Sequence, residues 1–130
     1  MILKSFLDNR SGQNNHIGKI GEDFACDFLK DKGFIIKDRG YESKFGEIDI
    51  IAIKDKKVYF FEVKTSASDK VTPFDNMNFR KVQNFKRNVE VYILKHKFHE
   101  LGVIFSINFL AVYLNTDKTL KRVELIENLE

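Results

Sequence analysis

The feature that most constrains the fold of this 130-residue chain is a pair of apolar segments joined by a short charged turn. The segments run from Glu47 to Ile53 and from Val58 to Lys64, and both are rich in β-branched and aromatic residues. This composition, with the charged turn between the segments, predicts a β-hairpin. A loop of two residues and a loop of four give the same register, in which Ile53 faces Val58.

Two acidic residues face each other in this register. Asp49 is opposite Glu62 and Glu47 is opposite Lys64, since side chains alternate along a strand. Carboxylates about 4.5 to 5.5 Å apart repel each other unless a cation or a proton separates them. Mg²⁺ fits between them and keeps positions for water and a phosphate oxygen. Lys64, on the same face, could orient a water molecule or neutralise charge on a phosphate, so these residue types predict a nuclease-like site.

A simpler interpretation is that these charges mark the solvated end of a buried hairpin, with Glu62 and Lys64 paired to their neighbours. The sequence near the turn argues against it, because both faces of both strands are apolar there. Ile51 and Phe60 lie on one face, and Ile50 and Phe61 lie on the other. Charged side chains next to strands that are buried on both faces cost free energy. Their presence therefore favours a functional role for these charges.

The rest of the chain predicts a mixed α/β domain. Apolar residues at helical spacing indicate a first helix from Ile17 to Lys32, and a strand then begins at Phe34. A loop follows the hairpin, and a second amphipathic helix carries an apolar stripe from Phe79 to Ile93. Val103 to Leu114 indicates a buried strand, and Lys121 to Leu129 a closing strand or helix. We expect one domain over residues 16–130, with residues 1–15 as a flexible lead-in.

Composition excludes several classes of protein. The single cysteine, Cys26, allows neither an intramolecular disulfide nor a thiolate zinc site and is typical of a reducing compartment. Residues Met1 to Arg10 lack the apolar stretch of a signal peptide. The longest apolar run, Val103 to Leu114, is shorter than the roughly 18 residues that a membrane span needs. We therefore expect a cytoplasmic protein without a membrane partner.

Positive charge is concentrated in the middle of the chain. The net charge is +3 for the whole chain, but residues 54–97 alone carry +6. Lys and Arg in this number suit a polyanionic substrate, because they neutralise phosphates along a nucleic-acid backbone. The candidates on the second helix are Arg80, Lys81, Lys86 and Arg87. For any one of them, a solvated helix face is the alternative.

The hairpin motifs also carry a family resemblance. Asp49 followed by Glu62-Val63-Lys64 resembles the active-site signature of the PD-(D/E)xK, or restriction-endonuclease-like, superfamily. The wider pattern resembles the YraN-like branch of that superfamily from about Gly18 to Leu114. The segments that carry this wider resemblance are Gly21-Glu22, Arg39, Gly46-Glu47-Ile48-Asp49, Phe61-Glu62-Val63-Lys64 and Lys81 with Phe85.

The resemblance implies a restriction-endonuclease-like fold, a mixed sheet flanked by helices, and a Mg²⁺ or Mn²⁺ site. It makes Asp49, Glu62 and the Val63 carbonyl metal ligands, Lys64 the catalytic lysine, and Glu22 a partner that reaches the site from the first helix. Two positions depart from the relatives. Asn108 stands where they usually carry Asp, and Gly40 where Asn is common after the arginine.

We therefore expect a Mg²⁺-dependent nuclease that hydrolyses phosphodiester bonds. DNA is favoured over RNA, branched or structured DNA is a candidate substrate, and a homodimer is a candidate assembly. The alternative is a catalytically silent nucleic-acid-binding module, or an interaction protein, that keeps the nuclease fold.

Overall fold

Five strands form a single mixed sheet whose spatial order follows the chain. The computed structural model describes residues 2–68, 70–75 and 77–127, with side chains described from His16 onward. The elements are α1 (Ile2–Asp31), β1 (Ile35–Ser43), β2 (Gly46–Lys54), β3 (Lys57–Ser66), α2 (Phe79–Lys95), α3 (Phe98–Leu101), β4 (Ile104–Leu114) and β5 (Leu120–Ile126). Neighbouring strands are antiparallel except the central pair, β3 and β4, which is parallel.

The two faces of the sheet are covered by different helices. On one face α1 packs against the sheet in a core that includes Leu29, Phe61 and Leu110. On the other face α2 packs in a core that includes Phe60 and Val89. The crossover through α2 that parallel strands require places the central strands between two apolar layers. The expected α/β fold, with a mixed sheet flanked by helices, is confirmed.

The hairpin turn has two residues. Asp55 and Lys56 both adopt positive φ, 51° and 64°, which is the backbone of the two-residue turn whose twist matches the strands. Lys54 pairs with Lys57, and the ladder continues in the predicted register from there. The register predicted from the sequence is confirmed along the apolar part of the hairpin.

Several boundaries differ from the sequence prediction. The first helix begins at Ile2 and ends at Asp31, whereas the sequence predicted Ile17 to Lys32. The side chains of residues 1–15 lie outside the described part of the structure, so the flexible lead-in stays a prediction. The C-terminal segment, for which the sequence allowed a strand or a helix, is a strand. The sequence does not predict α3, because a single helical turn is too short to show a helical repeat of apolar residues. Within the described residues, no helix combines the length and the hydropathy needed to span a membrane.

The contact between α1 and β3 generates a stability prediction. A Cβ at Gly21 would lie 1.9 Å from Thr65 Oγ1, so Gly21→Ala must push α1 away from the sheet. We expect it to lower the free energy of unfolding by about 1–3 kcal/mol. Gly18→Ala is the matched control: a Cβ there meets no atom of the described residues within 4 Å, and we expect a gain of up to about 1 kcal/mol from helix propensity. Urea unfolding measures both, and a Gly21→Ala protein as stable as wild type would contradict the close approach.

Candidate active site

The hairpin ladder ends where the charged residues begin. The last pair is Ile50 with Phe61, so the expected opposition of Asp49 and Glu62 is not part of the ladder. Ile48 packs in the α2 layer and Ile50 in the α1 layer, although residues two apart in a regular strand share a face. The alternation of β2 therefore breaks at Asp49.

Beyond the last ladder pair, the Asp49 side chain takes the place of a backbone acceptor on β2. Its Oδ2 accepts from the backbone N–H of Val63 at 2.7 Å. Burial raises the pKa of Asp49 to about 7; the charge of Glu62 adds to the rise, the Val63 hydrogen bond opposes it, and Glu22 and Glu47 add smaller contributions. A buried carboxyl group that titrates near neutrality is typical of a functional site.

Three carboxyl groups converge beside α1. Glu22 on α1 and Glu47 and Asp49 on β2 each offer an oxygen, and these oxygens all lie within 4.8 Å of one another. They line a cavity of about 450 Å³ together with Gly18, Lys19 and Val63, which we call the carboxylate cavity. Glu47 was not predicted as a ligand, because the predicted register placed it opposite Lys64. Its position two residues before Asp49 could have indicated that role, because side chains two residues apart on a strand share a face.

Glu62 and Lys64 lie on the opposite side of the hairpin end. They form an ion pair at 3.3 Å, and both side chains are about one-quarter exposed. Burial raises the pKa of Glu62, while the charges of Lys64 and Lys81 oppose the rise. These side chains line a second cavity of about 250 Å³, the lysine cavity, whose walls are Phe45, Gly46, Glu47, Glu62, Lys64, Lys81, Asn84, Phe85 and Asn88.

The predicted site residues are thus divided between two adjoining cavities. Asp49, Val63 and Glu22 line the carboxylate cavity, whereas Glu62 and Lys64 line the lysine cavity. Glu47 lines both. Glu62 is close enough to Asp49 for its charge to raise the Asp49 pKa. The division follows from the break in β2, which turns Asp49 towards α1 while β3 keeps its alternation.

Arg39 on β1 fixes the position of Glu22. Its Nε donates to Glu22 Oε1 at 3.1 Å, and its Nη2 donates to Asp23 Oδ1 at 2.7 Å. The two bonds tie the edge strand to α1 and bring a permanent positive charge to the border of the carboxylate cavity. Glu22 therefore reaches Asp49 with one oxygen held in a defined direction.

The basic residues of α2 separate in the structure. Lys81 lines the lysine cavity beside Lys64, and Arg80 and Arg87 are exposed. Lys86 lines a different cavity on α2, with Glu90 and Phe105 among its neighbours. Of the four predicted nucleic-acid-binding residues, Lys81 is the one that borders the candidate site.

Comparison with known proteins gives the family. The family model described as "Uncharacterised protein family UPF0102" matches residues 21–126, a range that includes every residue of both cavities except Gly18 and Lys19. The chain belongs to this family. The membership expected from the YraN-like motifs is confirmed.

Relatives from several bacteria carry the same family name. A UPF0102 protein of Campylobacter lari is 40% identical over 103 residues, which cover 79% of this chain and 88% of the relative. A UPF0102 protein of Clostridium botulinum is 38% identical over 117 residues, 88% of this chain and 94% of the relative. A UPF0102 protein of Thermotoga neapolitana is 46% identical over 77 residues, 59% of this chain and 71% of the relative.

The structure explains the two departures from the pattern expected for the UPF0102 family. Gly40 has a φ of +61°, and a Cβ there would lie 3.3 Å from Glu47 Oε1. Asn is the residue after Gly that best tolerates this backbone, so either residue suits the position. Asn108 is fully buried in β4, and its Nδ2 donates to the Phe60 carbonyl at 3.3 Å and to Ser106 Oγ at 3.1 Å. It belongs to the hydrogen bonding of the sheet core.

The raised pKa of Asp49 predicts how stability depends on pH. The folded state holds the Asp49 proton more tightly than the unfolded chain, where the pKa is near 3.8. In EDTA, the contribution of Asp49 to the free energy of unfolding is therefore full below that value and is lost as pH rises through about 7. The loss is at most about 4 kcal/mol, at about 1.36 kcal/mol per pKa unit.

Denaturant unfolding across this pH range tests the prediction. Asp49→Asn removes the titrating group, so its stability should fall less with pH than that of wild type. Asp55→Asn, in the hairpin turn, is the matched control and should follow wild type. Parallel curves for wild type and Asp49→Asn would show that Asp49 titrates normally.

Proposed function

We propose that this UPF0102 protein is a Mg²⁺-dependent nuclease that hydrolyses phosphodiester bonds in DNA. The observation that carries the proposal is the convergence of Glu22, Glu47 and Asp49 within 4.8 Å, next to the cavity that Lys64 lines. Like charges at this distance destabilise each other unless a cation or a proton lies between them. In this proposal, the three carboxylates together bind a divalent cation, which removes their mutual repulsion.

The donor set fits a hard divalent ion. All three side chains offer carboxylate oxygens, which Mg²⁺ and Mn²⁺ prefer, and the open cavity has room for the waters that Mg²⁺ retains. Asp49 Oδ2 accepts one hydrogen bond, from the Val63 N–H, which leaves acceptor sites on both carboxylate oxygens for an ion. Glu62 and the Val63 carbonyl are further ligands by resemblance. When bound, the ion supplies a water of lowered pKa and neutralises charge on the scissile phosphate.

Lys64 supplies a positive charge that is present whether or not Mg²⁺ is bound. Its ammonium group lies 3.3 Å from Glu62, and both side chains line the lysine cavity. A positive charge there can stabilise the extra negative charge that the phosphate gains in the transition state and can orient the attacking water. The ion pair with Glu62 limits the directions in which the ammonium group can point.

Lys81 adds a second positive charge to the cavity that Lys64 lines. A nucleic-acid backbone that crosses the site would meet Lys81 and Lys64 in the same cavity. We propose DNA as the substrate, the cytoplasm as the location and a homodimer as the assembly on the strength of the sequence. The Glu62–Lys64 ion pair also suits a second function, a silent DNA-binding module in which these residues only bind.

Cleavage assays decide between the two functions. We expect wild type to cleave at least one of duplex, single-stranded, flap and four-way DNA in Mg²⁺ or Mn²⁺. Asp49→Asn should abolish cleavage, and Lys64→Ala should lower the rate by roughly 100-fold or more with little change in DNA affinity, because its charge acts mainly in the transition state. Lys57→Ala, which removes another β3 lysine, is the matched control and should retain wild-type activity.

Two results would count against the nuclease, and a third against a catalytic role of Lys64. Cleavage that persists in Asp49→Asn would indicate a contaminating enzyme. Binding of DNA without cleavage of any substrate would favour the silent module. Equal losses of DNA affinity and rate in Lys64→Ala would give that lysine a binding function only.

A further inference from the structure

The lysine cavity contains features that phosphate hydrolysis does not use. Beside Lys64 and Lys81 it has an aromatic ring, Phe45, and two amides, Asn84 and Asn88. Phe45 is 39% exposed on the turn between β1 and β2 and lines the cavity, so its ring is accessible to a ligand there. A ring, amides and ammonium groups around one small cavity are a combination that can recognise a base and its phosphate.

Asn88 is the buried part of this arrangement. It is 1% exposed and lines the lysine cavity, and its Nδ2 has no hydrogen-bond partner among the residues that the structure describes. That nitrogen lies next to Gly46 on the cavity wall, where a Cβ would be 3.8 Å away. A buried donor without a partner costs free energy, so its persistence needs an explanation such as a ligand acceptor.

The same asparagine holds the Phe45 turn in place. Asn88 Oδ1 accepts from Ser43 Oγ, and Ser43 Oγ accepts from the Phe45 backbone N–H at 3.1 Å. The exposed ring is therefore presented by a turn that is anchored to α2. The Lys44 ammonium lies over the Phe45 ring, 5.2 Å from its centre, in a cation–π contact.

We propose that the lysine cavity binds a nucleobase of the substrate, with Phe45 as its stacking surface and the Asn88 amide as a donor to the base. The cavity, at about 250 Å³, is smaller than a typical pocket for a whole drug-sized ligand and suits one ring system. Lys64 and Lys81 then meet the phosphates on either side. The inference rests on the proposed function and deepens it.

The proposal narrows the class of substrate. A base inside a stacked duplex cannot present its face to a side chain, so the nucleotide beside the scissile phosphate must be unpaired or extruded. Single-stranded DNA, and DNA with a flap, bulge or junction, offer such a nucleotide. Uninterrupted duplex offers one only at the cost of unstacking.

A thermodynamic cycle tests the stacking contact directly. A short single-stranded DNA is labelled at one end, and a single abasic site is moved along it, one position per oligonucleotide. Affinities are measured by fluorescence anisotropy in Ca²⁺, before any cleavage, for wild type and Phe45→Ala. We expect an abasic site at one position to weaken the binding of wild type about five-fold or more, which is the loss that stacking predicts. Phe45→Ala should bind the oligonucleotide with this abasic site as tightly as it binds the intact one.

Three more variants separate the effect of the Phe45 ring from general effects on folding or binding. Phe45→Tyr keeps a stacking surface and should retain the sensitive position, whereas Phe45→Leu should lose it. Phe79→Ala removes an 80% exposed phenylalanine that lies outside the lysine cavity and should behave as wild type. Melting temperatures check that each variant is folded.

The outcomes distinguish this inference from the proposed function. One outcome is that wild type cleaves DNA in an Asp49-dependent way while every abasic site weakens binding to Phe45→Ala as much as to wild type. That result would overturn the nucleobase site alone. If wild type neither binds nor cleaves any DNA, the proposed function is overturned and this inference with it. A sensitive position that disappears equally in Phe79→Ala would also overturn the assignment to Phe45.

Discussion

The hydrogen bond from the Val63 N–H to the Asp49 carboxylate is the interaction on which the site depends. It replaces a backbone bond at the point where β2 and β3 stop pairing, and it holds a carboxyl group in a buried position. Because the hairpin continues the sheet core without interruption up to Ile50 and Phe61, that position is fixed by the core. The pKa of Asp49, raised to about 7, is the electrostatic consequence.

The elements around the hairpin bring other charges to this point. Arg39 holds Glu22 from the edge strand, and the close approach of Gly21 to Thr65 lets α1 lie low enough over β3 for Glu22 to reach Asp49. Gly40 leaves room for the Glu47 carboxylate. The fold therefore brings three acids together at the end of one hairpin and places an ion-paired lysine on the other side.

Much of this could be predicted from the sequence, because it depends on local patterns. The two-residue turn and the alternation of apolar residues determine the hairpin register, and the family motifs identify the hairpin acids and Lys64. The break at Asp49 could not be predicted, since it depends on Ile48 packing under α2, a long-range contact. For the same reason Glu47 was missed. Lys86 was grouped with Lys81, although five positions along a helix place two side chains on different sides.

Titration with Mn²⁺ is the measurement that tests the central claim most directly. Calorimetry should show one ion bound per wild-type chain, with proton release near pH 6 because Asp49 must lose its proton to bind. Asp49→Asn should lose this binding, Glu47→Gln should weaken it, and Asp55→Asn should leave it unchanged. Wild type that binds no ion, or Asp49→Asn that binds as wild type does, would contradict the account.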